Sequence, residues 1–282
     1  MKCERLYSEE NHIIAYSYNT TIKTYANGDK NIKYHSYENL KGIARKRGKG
    51  TLSDEEKDYL KHKNLMNTKA TIIDLIYHNG LIKQWDYFIT LTFDDNIING
   101  YDYESSKKAL IKWLNNQKHQ NKDMEYVIVP EYHKSKRFHF HGVVRNVEKW
   151  SLSPAVSKKG RAIYKNGVRI YNLDNYKYGY TTISKIRNAE AVSVYTSKYI
   201  TKEFIDIPNA KKYWASKTLE KPKIEYAQLT EDGLKFYIDN DKIKRDEYRK
   251  ETDNYTSYYV KLRTSYNIYY VNFYILNKKM IS

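Results

Sequence analysis

Two strand-like segments, Glu125–Val129 and Phe138–Val144, are separated only by a short stretch whose polar part is 132–137. A crossover between parallel strands needs about a dozen residues or more, so a gap this short predicts an antiparallel hairpin. The spacing argues for an α+β chain and against alternating βαβ units with a parallel sheet. Tyr87-Phe88-Ile89-Thr90-Leu91-Thr92-Phe93 reads as another strand by its aromatic and β-branched content, and 180–186 as a further one. Between them, 103–119 is helical, with Leu110, Trp113 and Leu114 on one face, and 188–203 follows as a second helix. Residues 150–178 carry Pro154, Gly160 and Gly167, and read as loops with short strands.

The flanks read differently. Ile14, Tyr16 and Tyr18 alternate with small polar residues, and Asn27-Gly28 marks the turn of a hairpin over 13–37. Residues 41–50, KGIARKRGKG, form a basic linker. Ser53-Asp54-Glu55-Glu56 is a capping box opening a helix to about Met66, and a second helix over about 68–78 stops at Asn79-Gly80. The tail, 225–282, alternates charge and tyrosine, as in Tyr258–Leu262, and predicts an extra sheet. No internal repeat is present.

Composition narrows the partner. The chain has 50 Lys+Arg against 33 Asp+Glu, a formal net charge of +17, and 31 tyrosines. A polyanion is the first expectation, although A/T-rich codons also favour Lys, Tyr, Asn and Ile. No apolar run reaches the length of a membrane span, and the first residues lack an apolar signal region, so a cytoplasmic protein is expected. Cys3 is the lone cysteine, which removes disulfide frameworks and cysteine-based zinc sites. Gly42–Lys49 superficially resembles a phosphate-binding loop. However, five residues separate its glycines and Gly50 follows Lys49, so no nucleotide cofactor is expected.

Two groups of residues carry candidate chemistry. In His139-Phe140-His141 the histidines are two apart on a strand and project from one face. If 125–131 pairs with 138–144, Glu131 comes beside them. Two neutral imidazoles and a carboxylate make a mixed N/O set suited to Mg²⁺ or Mn²⁺, and able to accept Zn²⁺ in vitro. Alone, such a pair is as well explained by surface histidines, and Glu131 by a strand-end charge. His133, in the turn, is a weaker ligand candidate. Further on, Tyr195 and Tyr199 lie one helical turn apart, as do Lys198 and Lys202. A phenol becomes a useful nucleophile when a nearby cation favours its phenolate. The plain alternative is an amphipathic helix whose tyrosines cover the core edge.

Taken in order, these elements resemble the HUH endonuclease superfamily, and more closely the rolling-circle replication-associated (Rep) proteins of small phages and plasmids, related to filamentous-phage and microvirus initiators. Phe88–Phe93 matches an FxTLTF-like strand, Arg137–Gly142 the His-hydrophobic-His strand, and Glu131 the carboxylate eight residues before the first histidine. Tyr195-x-x-Lys198 and Tyr199-x-x-Lys202 are two overlapping copies of a Tyr-x-x-Lys motif. Lys136 stands where a glycine usually precedes Arg137. The tyrosines follow the histidine pair, whereas in relaxases they precede it.

The resemblance covers about 68–222 and implies an RRM/ferredoxin-like central antiparallel sheet of about five strands flanked by helices. It divides the chain into 1–67 (hairpin, linker and helix), 68–222 (nicking/joining domain) and 223–282 (tyrosine-rich extension). It implies Glu131, His139 and His141 as ligands of Mg²⁺ or Mn²⁺, and Tyr199 and Tyr195 as nucleophiles, with Tyr199 first because Lys202 closes its motif. Lys198 and Lys202 would offset charge, and Thr90, Thr92 and Arg137 would contact DNA. The implied activity is rolling-circle initiation: nicking and joining of single-stranded DNA at an origin through a 5′-phosphotyrosine, without ATP, beside a host polymerase and helicase in a bacterial cytoplasm. The alternatives are an HUH transposase and a non-catalytic single-stranded DNA-binding protein.

Overall fold

The computed structural model describes residues 5–7, 13–16, 20–34, 54–200, 207, 210–227, 244–251, 255–263 and 268–276. The chain divides into two compact units: Met1–Gly50 with Pro222–Ser282, and Thr51–Lys221.

In the first unit, β1 (Arg5–Tyr7) pairs with β2 (Ile13–Tyr16), and β3 (Thr20–Thr24) with β4 (Lys30–Tyr34). The expected 13–37 hairpin is therefore narrower. Asn27-Gly28 does turn β3 into β4, with Gly28 at φ 85°, but Ile14 and Tyr16 belong to a strand paired elsewhere.

The second unit holds the elements that build the site. Its first helix, α1, runs unbroken over Asp54–Ile82. Two helices separated near Asn67, with a stop at Asn79-Gly80, are not what forms. No proline or glycine interrupts 66–68, and Thr68 and Thr71 bond their hydroxyls back to the carbonyls of Asn64 and Asn67. Asn79 is buried inside the helix and caps nothing. Its amide donates to the carbonyls of Leu75 and Glu220, and its side-chain oxygen accepts from Glu220 N. Gly80 is there for space: a Cβ on it would stand 2.6 Å from the Cβ of Ala189.

The strands that follow are β5 (Tyr87–Phe93), β6 (Glu125–Tyr132), β7 (Phe138–Arg145), β8 (Leu152–Pro154), β9 (Tyr164–Lys165), β10 (Val168–Arg169), β11 (Tyr171–Leu173), β12 (Gly179–Lys185) and β13 (Trp214–Ala215). Helix α2 (Tyr103–Gln120) lies between β5 and β6, capped by Asp102, whose carboxylate accepts from Ser105 N. Helix α3 (Ala189–Ser197) follows β12, capped in the same way by Asn188. Seven strands form one antiparallel sheet in the order β13-β6-β7-β5-β12-β11-β8. The expectation of about five is exceeded because segments of two or three residues, too short to show a period, complete both edges. Strands β9 and β10 form a separate ribbon.

Alternation along the strands separates two faces. Ile89, Leu91 and Phe93 on β5, Ile128 on β6, and Phe138, Phe140 and Val144 on β7 join the α2 residues Leu110, Trp113 and Leu114 in one buried cluster. Val127, Val129 and Val143 point the other way and pack with Leu65, Ile72, Leu75 and Ile76 of α1 and Val192 of α3. The polar members of these strands share that second face.

The first unit is completed by β14 (Lys223–Ala227), β15 (Lys244–Glu251), β16 (Tyr255–Arg263) and β17 (Ile268–Leu276). The tyrosine-rich tail folds back as a meander, and β17 pairs in parallel with β4 in the six-stranded order β14-β3-β4-β17-β16-β15. Among the described residues, no helix is long and apolar enough to cross a membrane.

Candidate active site

The strand register assembles the first half of the site. On β5–β7, Thr92 stands opposite His139 and Thr90 opposite His141; on β6–β7, Glu131 stands opposite His139. Gly142 allows this pairing. A Cβ there would fall 2.1 Å from the carbonyl oxygen of Val127, so only glycine lets β7 approach β6 so closely.

Each imidazole is held from behind. Thr90 Oγ1 lies 3.0 Å from His141 Nδ1, and Thr92 Oγ1 3.2 Å from His139 Nδ1. These hydroxyls fix the rings and leave the Nε2 atoms facing the opposite way. His141 Nε2 meets Glu131 Oε2 at 2.8 Å, and the two histidine rings stack at 6.4 Å between centroids. His133, in the β6–β7 turn, lays its ring 5.3 Å from that of His139.

Burial pushes the His139 pKa down to about 4, assisted by the neighbouring His141. It also lowers that of His141, against the pull of Glu131. The hydrogen bond from His141 holds the Glu131 carboxyl below the usual carboxylate range. At neutral pH the set is two neutral imidazoles and a carboxylate, the protonation state in which these groups bind a divalent cation. Among the described residues, no group of three or more His, Cys, Asp or Glu side chains stands arranged to hold a metal ion. The donor chemistry nevertheless fits. Glu131 and His141 converge on one point through the atoms a cation would join, and both histidines are braced through their other ring nitrogen, as ligating histidines generally are.

The second half of the site comes from the end of α3. Beyond Ser197 the backbone tightens into successive three-residue turns: Lys198 N to Tyr195 O, Tyr199 N to Thr196 O, and Ile200 N to Ser197 O. The helix is therefore shorter than the expected 188–203, but its end still brings the two tyrosines together. Tyr199 Oη donates to Tyr195 Oη at 2.6 Å, and the rings meet edge to face at 5.4 Å. Tyr199 also stacks on His141, 3.7 Å between centroids and 12° between planes. Phe88 touches His141, Tyr195 and Tyr199 together. Burial, then the bond to Tyr195, holds the Tyr199 phenol above its ordinary pKa.

The remaining residues singled out from sequence are placed as follows. Arg137 is engaged inside the fold: it pairs with Asp95 at 2.8 Å, donates to the Phe93 carbonyl at 2.6 Å and covers the Tyr101 ring. Lys198 is exposed at the C-cap of α3, and Lys202 lies outside the described residues. Sequence reasoning missed Phe88 as the shared aromatic platform. It also missed Lys165, whose Nζ stands 3.4 Å from Tyr195 Oη. The only sequence signal for Lys165 is that it precedes Asn166-Gly167, a hairpin turn.

The fold and site define a class: an α+β domain that gathers two imidazoles, a carboxylate and a coupled tyrosine pair on one face of an antiparallel sheet. Residues 86–204, from just before β5 to just beyond α3, match a family model of replication-associated proteins of the ORF2 type, which supports reading the chain as a Rep-like replication protein. Comparisons with curated proteins and with solved structures gave no match.

Proposed function

We propose that the chain initiates rolling-circle replication by nicking and rejoining single-stranded DNA through a tyrosine of the Tyr195–Tyr199 pair. The observation that carries this reading is the stack of Tyr199 on His141, which sets the coupled phenols directly against the Glu131–His139–His141 set. The match to a replication-associated family is consistent with it. Glu131, His139 and His141 would hold Mg²⁺ or Mn²⁺, and such a cation supplies Lewis-acid polarisation of the scissile phosphate. Thr90 and Thr92 keep the imidazoles oriented. A phenol oxygen attacks phosphorus, the 3′ oxygen leaves, and the DNA 5′ end stays on tyrosine. The phosphodiester energy is conserved in that bond, so ATP is not required. The second tyrosine would take part in the rejoining step, closing a circle.

The test is a covalent adduct. Full-length protein with labelled single-stranded DNA and Mn²⁺ is expected to give a denaturation-resistant protein–DNA species. Retention of the adduct in the Tyr195→Phe/Tyr199→Phe double variant would remove the nucleophile assignment. Normal adduct formation by His139→Ala/His141→Ala would remove the metal assignment.

A second reading has its own support. Tyr101, Tyr164 and Tyr180 are large exposed rings on a strongly basic chain, and such rings stack nucleic-acid bases. A purely binding protein would hold single-stranded DNA in a salt-sensitive, metal-independent way and give no adduct.

A further inference from the structure

Resting on the nicking reading above, we infer that Lys165 is a catalytic residue that donates to the attacking Tyr195 oxygen, making Tyr195 rather than Tyr199 the first nucleophile. The lysines of the Tyr-x-x-Lys motifs were expected to supply the cation. However, Lys198 is exposed at the end of α3, whereas among the described residues the ammonium that reaches the Tyr195 hydroxyl comes from the β9–β10 ribbon. Lys165 also acts electrostatically on His141, so its charge is felt inside the site.

The two hydroxyls are not equivalent. Tyr195 Oη accepts from Tyr199 Oη at 2.6 Å and from Lys165 Nζ at 3.4 Å. A phenolate oxygen has three lone pairs. Two are held by these donors, and the third, which carried the proton, is left to attack. Tyr199 Oη has the opposite role. It is the donor in the pair, and its ring is fixed face-on to His141 and Phe88. To act first it would have to give up the bond to Tyr195 and leave the Lys165 charge unused. In the step itself, the Tyr195 proton passes to solvent and Tyr195 Oη bonds to phosphorus. The bond from phosphorus to the 3′ oxygen breaks, and that oxygen takes up a proton from solvent. Lys165 and Tyr199 remain protonated and hydrogen-bond the oxygen before attack and again when it departs in rejoining.

The ribbon that delivers Lys165 is a built element. Asn166 and Gly167 both adopt positive φ, 51° and 72°, which closes the tight turn and pairs Lys165 with Val168. Behind it, Ala155 N bonds Ile170 O, Ile163 N bonds Ala155 O, and Ile170 N bonds Ile163 O, with Ala155 and Ile170 buried. The exposed side chain of Lys165 can therefore be replaced without disturbing a core.

The experiment uses the full chain with a randomised single-stranded oligonucleotide pool and Mn²⁺. The adducted tyrosine is mapped by mass spectrometry after nuclease digestion, and DNA affinity is measured in parallel by anisotropy. The early adduct is expected on Tyr195. Lys165→Met should slow its formation about a hundred- to a thousandfold, the range for removing one preorganised donor to a developing charge. DNA affinity should fall far less, and Lys165→Arg should recover most of the rate. The double variant Lys158→Ala/Lys159→Ala, on the same segment, should weaken DNA affinity without moving the adduct site. An early adduct on Tyr199, or a Lys165→Met rate equal to wild type, overturns the inference while leaving the nicking reading intact. Absence of any adduct from the wild-type chain overturns both.

Discussion

The strand-borne and helix-borne halves of the site are built to different tolerances. Glu131, His139, His141, Thr90 and Thr92 sit on three adjacent strands whose ladder fixes each one opposite its partner. Tyr195 and Tyr199 sit where α3 ends in three-residue turns whose bonds lengthen from 3.2 to 3.4 Å, anchored by the buried Ile200. A sheet interior holds side chains in a fixed register; on the proposed reading, a helix end leaves room for a tyrosine that would move as it forms and breaks a covalent bond. Disturbing each half separately tests the difference.

The largest effect is expected at Gly142. Gly142→Ala forces a Cβ against the Val127 carbonyl in the middle of β6–β7, and overpacking of this kind should destabilise the domain by about 3 kcal/mol. In the other half, Tyr199→Phe removes one hydroxyl but keeps the ring against His141 and Phe88, so the loss should be about 1 kcal/mol. Urea unfolding of both variants measures the contrast. Equal losses would mean that the helix end is as rigidly built as the sheet.

Next come the hydroxyls behind the imidazoles. Thr90→Val and Thr92→Val keep the side-chain shape and delete the bonds to His141 and His139 Nδ1. If the histidines hold a cation, Mn²⁺ affinity measured by calorimetry should fall about ten- to a hundredfold per substitution. Unchanged affinity in both variants would show that the threonines do not orient ligands.

What the sequence revealed follows the same division. The Glu131–His139–His141 set was legible because strands have a period of two and the gap at 132–137 forces an antiparallel pairing, so face and neighbour both follow from spacing. The motif around Thr90 and Thr92 was visible, but its contact with the histidine Nδ1 atoms requires the β5–β7 register, which no local pattern encodes. The contacts of Lys165 and Phe88 with the tyrosines were not legible because each arises only through tertiary approach. Asn79-Gly80 misled for a physical reason: an asparagine with a distant partner in Glu220 and a glycine needed for close packing imitate a helix stop.

Acid should weaken the strand-borne half in chelated protein. A His139 pKa near 4 lies below the unfolded histidine value of 6.5, so between those values the unfolded chain binds more protons than the folded one. Stability is therefore unaffected by this group above about pH 6.5 and falls as the pH drops toward about 4. The lowered His141 pKa acts in the same direction. So does the lowered Glu131 pKa, whose contribution is lost as that carboxylate protonates. Thermal melts in chelator across this window should show a steeper acid loss for wild type than for His139→Gln. Identical slopes would mean that His139 is better solvated than its burial implies.

The smallest effect is expected in the turn that joins β6 and β7. Lys136 adopts φ 63°, the left-handed region that glycine enters freely, which accounts for the usual glycine at this place in the resembled motif. Lys136→Gly relieves about 1 kcal/mol of local strain. It also gives the unfolded chain more conformations to lose, a penalty of about 0.4–1 kcal/mol. The two nearly cancel, so stability should change by less than about 1 kcal/mol, and Mn²⁺ affinity should not change, because the β6–β7 ladder, not the turn, sets Glu131 opposite His139. A clear drop in Mn²⁺ affinity in Lys136→Gly would instead show that the turn helps hold the ligands, and that the rigidity of this half does not reside in its strands alone.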